Sequence, residues 1–373
     1  MVSYSWGDVV RFLPLMYVKE NQLLGESLFD SNGRILLRKG VPLKPETIKS
    51  IEKLGYHSIY IFDHKEDVEE NNTSFLEDDV KLRILKNIRD NFYHFKMIYH
   101  MRSLGKDGNK LFKLMEERDE LLDKLHTFTD EILLILKKSP SHRIERVEVK
   151  SDRNYQYQHA LNTAIIATIV GMNMNLNYLE LKSIFLGAIM KEMGNVAIPE
   201  EILMKKGKLT AIEFDILKSH TEISYQEIRN CDAINNNIKQ ICLEHHEKLD
   251  GSGYPKGLMQ DQISFLTRIV AVADTYDALT SDRGFRPAYP PHRALKMMYS
   301  EVGKSYDRDV LKKLRKMVIP FPIGTYINLN AGFGKVVQYT PDLERPIVQL
   351  ESGMTVDLSR DPNFEITGLK YKV

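Results

Sequence analysis

The sequence predicts a mainly α protein: a helical bundle with a small α/β domain ahead of it and a small β module behind it. Three observations lead there. Residues 150 to 318 carry apolar residues at helical spacing almost throughout. Residues 1 to 66 mix short apolar runs with hairpin-turn chemistry. From Pro320 onward, short apolar runs alternate with turn residues.

In chain order, Ser27-Leu28-Phe29 and Arg34-Ile35-Leu36-Leu37 read as two strands around the turn Asp30-Ser31-Asn32-Gly33. Lys44-Pro45-Glu46 opens a short helix that runs to Leu54 and stops at Gly55, and His57 to Phe62 reads as a closing strand. The polar, acidic stretch from Asp63 to Asn72 reads as a linker. Between about 75 and 138, Leu111, Leu114, Leu121, Leu122, Leu125, Phe128, Ile132 and Leu133 fall near helical spacing, and Gly105 and Gly108 break the region in two. This reads as an amphipathic helix pair on the main core, with a dimerisation seam as the alternative. Leu161 to Val170, Leu179 to Met190 and Phe265 to Leu279 read as core helices, and Thr210-Ala-Ile-Glu213 matches a capping box. Tyr326 to Leu329, Gly334 to Tyr339 and Pro346 to Leu350 read as short strands. The expected domains are 1–66, a helical connector over 67–149, a helical domain over 150–318 and the β module over 319–373.

Composition narrows the function classes. Lys+Arg total 52 against 51 Asp+Glu, so nothing points to broad binding of a nucleic acid polymer or an acidic membrane surface. Cys231 and Cys242 are the only cysteines, which fits a reducing compartment and no disulfide framework. The apolar run from Val9 to Val18 is interrupted by Arg11 and Pro14 and lacks the pattern of a signal peptide. No stretch of about 18 apolar residues is present, so no membrane insertion and a cytoplasmic location are expected.

The most informative segment is His245-His246-Glu247-Lys-Leu-Asp250-Gly251-Ser-Gly253-Tyr254-Pro255-Lys-Gly257-Leu258. Adjacent imidazoles fill a core poorly, because each ring nitrogen needs a partner once buried, but they hold a metal well. The glycines allow close approach of backbone to a ligand, and Pro255 stiffens the exit. His159 and His220 lie in helical segments upstream. Asp274 and Asp277, three apart, share one face of an otherwise apolar helix, where a buried carboxylate needs a cation. Taken singly, each of these residues is more simply a hydrogen-bonded core histidine or a paired acid. Taken together beside the glycine turn, they form a site.

That run resembles the signature of the HD-GYP family, the bacterial phosphodiesterases of cyclic di-GMP. The resemblance covers roughly the last 220 residues and implies an HD-type helical bundle. The N-terminal pattern also resembles a domain found ahead of this family. Tyr155-Gln-Tyr157-Gln-His159 looks like the family's opening helix, which makes His159 the first metal ligand. A Glu that accompanies a third metal is replaced by Tyr155, which argues against a third ion. His220, His245, His246 and Asp274 match further ligands. Asp282-Arg283-Gly-Phe285-Arg286 looks like the basic loop that contacts the phosphates, a task that suits the planar guanidinium of Arg283 and Arg286. Tyr254 resembles the aromatic near the substrate, with Gly253 beside it.

One departure stands out. The family's His-Asp pair lies in a Leu-Leu-His-Asp-Ile-Gly-Lys pattern; here the stretch is Ile189-Met190-Lys191-Glu192-Met193-Gly194-Asn195, with Ile198-Pro199 in register. A protonated lysine has no lone pair and cannot ligate a metal, while Glu192 keeps a carboxylate on a longer stem. The resemblance thus implies one or two divalent ions (Fe, Mn or Zn) held by His159, Glu192, His220, His245, His246 and Asp274. Lys191, Glu192 and Asp274 are the catalytic candidates. The expected function is a metal-dependent phosphodiesterase opening cyclic di-GMP to linear pGpG or onward to GMP. The alternative is a catalytically inactive cyclic di-GMP receptor acting through a partner protein. A homodimer or protein partner would use the N-terminal or helical region.

Overall fold

The computed structural model describes residues 10–30, 34–62, 76–105, 108–139, 142–144, 149–151, 154–205, 207–282 and 288–371. The turn residues Ser31, Asn32 and Gly33, the expected linker from Asp63 to Asn72, and the basic-loop residues Arg283 and Arg286 lie outside the described residues.

The fold is mainly α, as the sequence predicts, with a small sheet unit at each end. In the N-terminal unit, β1 (Val10–Pro14), β5 (Ser58–Phe62) and β2 (Leu23–Leu24) form an antiparallel sheet in the order β1-β5-β2. β3 (Leu28–Phe29) and β4 (Ile35–Leu37) pair as the expected hairpin. β1 and β2 were not foreseen, because Arg11 and Pro14 break the apolar run and β2 is only two residues long. The helix α1 (Pro45–Lys53) starts on Pro45, whose missing N–H is no loss in a first turn. It ends at Gly55, which takes the left-handed φ of 84° that closes the turn.

α2 (Asp78–Ser103) and α3 (Asn109–Lys138) form a helical hairpin broken where Gly105 and Gly108 adopt positive φ. Leu122, Leu125, Ile132 and Leu136 of α3 join the main core with Ile84, Ile88, Phe92 and Phe95 of α2. The apolar stripe of α3 is therefore used within the chain.

The bundle itself runs through α4 (Tyr155–Asn173), α5 (Tyr178–Met190), α6 (Glu200–Leu203), α7 (Ala211–Lys218), α8 (His220–Ile228), α9 (Asn236–Glu244), α10 (Phe265–Leu279), α11 (Pro291–Tyr299) and α12 (Arg308–Met317). α4 and α5 are apolar on nearly every side, which places them at the centre, against each other and α10. Thr210 and Glu213 form the capping box expected at α7, and Asn177 and Glu180 form a second at α5.

The C-terminal module is a five-stranded antiparallel sheet of β6 (Tyr326–Leu329), β7 (Gly332–Gln338), β8 (Ile347–Leu350), β9 (Thr355–Asp357) and β10 (Ile366–Leu369), in the order β10-β6-β7-β8-β9. β6, β7 and β8 match the three expected strands. β9 and β10 are short and carry Asp357 and Gly368, which mask the period-two signal.

Candidate metal centre

Five helices deliver the site. His159 lies one turn into α4, Lys191 caps the C-terminus of α5 with Glu192 next to it, and His220 opens α8. His245 caps α9 with His246 beside it, and Asp274 and Asp277 project from α10. Among the described residues, two ligand sets converge, each with its donor atoms within 4.8 Å of one another. One is Glu192, His220, His245 and His246; the other is His159, Glu192 and Asp274.

The first set is oriented for a cation. His220 Nδ1 lies 2.7 Å from the Leu217 carbonyl, and His245 Nδ1 lies 3.1 Å from the Cys242 carbonyl. A carbonyl only accepts, so each Nδ1 carries the hydrogen, and a neutral ring then keeps its lone pair on Nε2. Those two Nε2 atoms are 3.3 Å apart, and they lie 3.9 Å and 3.7 Å from the Glu192 carboxylate. Lone pairs facing one another and a carboxylate repel unless a cation lies among them. Burial, reinforced in His245 by the neighbouring His246 and Lys191, holds the imidazoles neutral: His245 falls well below the ordinary histidine value and His246 falls to about 4. Three imidazoles and a carboxylate suit a divalent transition metal.

The second set already holds a cation. The Lys191 ammonium, wholly buried, lies 2.6 Å from Asp274 Oδ1, 2.7 Å from Glu192 Oε1 and 3.4 Å from His159 Nε2. Burial alone would lower the lysine pKa, but Asp274 and Glu192 outweigh it and hold the ammonium charged. Burial likewise works to protonate both carboxylates, and Lys191 leads the interactions that keep them ionised well below the usual carboxylate range.

Behind this set is a third layer that the sequence did not reveal. His159 Nδ1 lies 2.6 Å from Asp277 Oδ2, and Lys150 Nζ lies 2.6 Å from Asp277 Oδ1 and 2.6 Å from Ser281 Oγ. Asn162 also donates to Asp277. Both Lys150 and Asp277 are fully buried. The cation that each α10 carboxylate needs is thus a lysine, Lys191 for Asp274 and Lys150 for Asp277. Lys150 sits alone in an unremarkable run, so nothing in its sequence neighbourhood marks the pairing. Its neighbour Val149 packs into the N-terminal core, which ties that unit to the site.

The glycine turn is held by Glu247, whose carboxylate accepts the Lys256 N–H at 2.7 Å and the Leu258 N–H at 2.9 Å. A Cβ on Gly253 would meet Lys248 N at 2.3 Å and Glu247 Cα at 2.5 Å. The close approach expected at Gly253 is therefore made to the chain's own backbone. The loop sets the Tyr254 ring on His246, centroids 4.8 Å apart and nearly parallel. Tyr155 stacks in the same way on His159 at 5.3 Å.

Residues 134–310 match the family model for the HD domain, and this part of the chain is an HD domain. The His245–Leu258 run lies within the matched residues. The chain is 31% identical over 215 residues to a cyclic di-GMP phosphodiesterase of Pseudomonas aeruginosa, covering 57% of this chain and 52% of that one. It is 30% identical over 239 residues to a cyclic di-GMP phosphodiesterase of Thermotoga maritima, covering 64% of this chain and 62% of that one. It thus spans between half and two thirds of the length of these relatives. A solved HDG"Y"P protein of Bdellovibrio bacteriovorus aligns over 82% of this chain and 98% of its own, with a TM-score of 0.47 and 15% identity. No helix among the described residues is long and apolar enough to cross a membrane.

Proposed function

We propose that this chain is a metal-dependent phosphodiesterase that opens cyclic di-GMP to linear pGpG, and onward to GMP, in bacterial second-messenger signalling. The observation that carries the reading is the convergence of the Nε2 atoms of His220 and His245 beside Glu192 and His246. The substrate comes from the relatives, both named cyclic di-GMP phosphodiesterases.

In this reading Glu192, His220, His245 and His246 hold an Fe, Mn or Zn ion. Such an ion supplies Lewis acidity toward a phosphoryl oxygen and makes water nucleophilic at neutral pH. The Leu217 and Cys242 carbonyls orient the imidazoles of His220 and His245 for that task. Lys191, fixed by Asp274, presents a charge that stabilises the negative phosphoryl group as water adds. Tyr254, set by the turn around Gly253, offers a ring face to a guanine base. Arg283 and Arg286 take the phosphates from the basic loop. The activity belongs in the cytoplasm, a placement supported by Cys231 and Cys242 as free thiols. The four segments 1–66, 67–149, 150–318 and 319–373 serve as N-terminal domain, connector, catalytic domain and β module, with any protein partner on the first two.

The test is turnover. The protein is purified anaerobically, loaded with Fe(II) or Mn(II) and given cyclic di-GMP, with His246→Ala as the blank. Linear product from the natural chain and none from the blank supports the reading. Tight nucleotide binding with no product overturns it and leaves a receptor.

A further inference from the structure

The natural chain carries a cation of its own where the second ligand set would hold a metal. The ammonium of Lys191 has three N–H donors. Two of them meet carboxylate acceptors, Asp274 Oδ1 at 2.6 Å and Glu192 Oε1 at 2.7 Å, while His159 Nε2 lies 3.4 Å from the ammonium and 2.9 Å from the same Asp274 oxygen. Asp274, Glu192 and His159 are also the residues of the second ligand set. The side chain is trapped there. Lys191 is fully buried, its N–H bonds the Gly187 carbonyl at 2.9 Å, and its own carbonyl accepts the Ser224 hydroxyl at 2.8 Å.

We infer that Lys191 is a tethered replacement for a metal ion, so the centre binds a single divalent ion, held by Glu192, His220, His245 and His246. The charges agree. Two carboxylates and one ammonium leave the cluster with one net negative charge, which one divalent ion converts to one positive. A second ion would raise the total to three positive. It would also force the ammonium off the two carboxylates that pair it, and a buried charge without a partner is strongly disfavoured. The same geometry assigns the two sets different work: the imidazole set binds the exchangeable ion, and the lysine set supplies a permanent positive charge that no chelator removes. The inference rests on the metal-dependent reading above and adds the number and position of the ions.

The probe is Mn(II) alone, titrated into chelator-treated full-length protein. Stoichiometry is read by calorimetry and elemental analysis, and ion pairing by electron paramagnetic resonance. The expected result is one Mn(II) per chain with the signal of an isolated ion. His246→Ala weakens that binding at least tenfold, whereas His159→Ala leaves it within about twofold. Lys191→His, which replaces the ammonium with a ligand, admits a second ion and gives an exchange-coupled signal. Two coupled ions in the natural chain overturn the inference while leaving the metal-dependent reading intact. Loss of binding in His159→Ala also overturns it, because the ion would then sit in the wrong set. The His159→Ala arm needs no Lys191 variant, so the inference stays open to refutation even where Lys191→His does not fold. No Mn(II) binding at all overturns both. One ion bound without turnover leaves the inference standing and sinks the phosphodiesterase reading.

Discussion

The Lys191 ammonium lies 2.6 Å from Asp274 Oδ1, and the lysine side chain has no exposed surface. Lys191→Met removes one partner of a buried ion network and leaves Asp274 and Glu192 repelling each other. The metal-free variant is expected to lose about 3–5 kcal/mol of stability in a urea titration. Added Mn(II) should recover more stability in the variant than in the natural chain. A loss under about 1 kcal/mol would show that the pair is not held as described.

Lys150 and Asp277 form a second buried pair, 2.6 Å apart. Lys150→Met is expected to cost a similar 3–5 kcal/mol. The double variant Lys150→Met with Asp277→Asn should recover part of that loss, because it removes the stranded charge. Turnover should fall in both, since Asp277 fixes the ring of His159. Losses of the two single variants that simply add in the double variant would rule out coupling between the two residues.

Glu247 holds two backbone N–H groups of the glycine turn. Glu247→Ala leaves both without their acceptor, at about 1–3 kcal/mol. Amide exchange at Lys256 and Leu258 should accelerate, and the KM for cyclic di-GMP should rise as Tyr254 loses its seat. Unchanged exchange at those two amides would show that the turn is held by something else.

Below neutrality the chelator-treated protein should weaken. Burial depresses His246 to about 4 and holds His245 well below the ordinary 6.5. Between about pH 6.5 and 4 the unfolded chain binds protons that the folded chain refuses, so stability is full above that window and is lost as pH falls through it. Burial opposes the low value of Asp277, but Lys150 and then His159 hold it down near 2. Its contribution is therefore present above about 3.8 and is lost as pH falls toward 2. Urea midpoints measured between about pH 7.5 and 5 should fall, and the fall should shrink in His246→Asn. A midpoint that rises with acidification would contradict the buried, neutral pair.

Much of the site was legible. His245 and His246 stand out because adjacent imidazoles fill a core poorly, and the glycine turn after them narrowed the reading. Asp274 and Asp277 stood out because acids three apart in an apolar helix demand cations. The identity of those cations was not legible. Lys191 could be named because a motif surrounds it, but Lys150 sits 127 residues from its partner with no local pattern. Glu247 could be noticed as an acid, yet its backbone partners lie 9 and 11 residues ahead, inside a turn whose path the sequence does not state. Gly253 carried the right signal for close approach, while the surface it approaches became visible only once the chain had turned back on itself.

By itself the sequence determined the helical bundle, the two flanking β units, the break at Gly105 and Gly108, and the residue types of the candidate metal centre. Periodicity, capping and turn chemistry are local, so they survive in a string of letters. Only the tertiary structure decided that His220 and His245 turn their Nε2 atoms toward each other. It alone placed the ammonium of Lys191 against all three residues of the second ligand set, and gave Asp277 its lysine from outside the motif. Those are contacts across long sequence separations, and their geometry is fixed by how α4, α5, α8, α9 and α10 pack rather than by any neighbour in the chain.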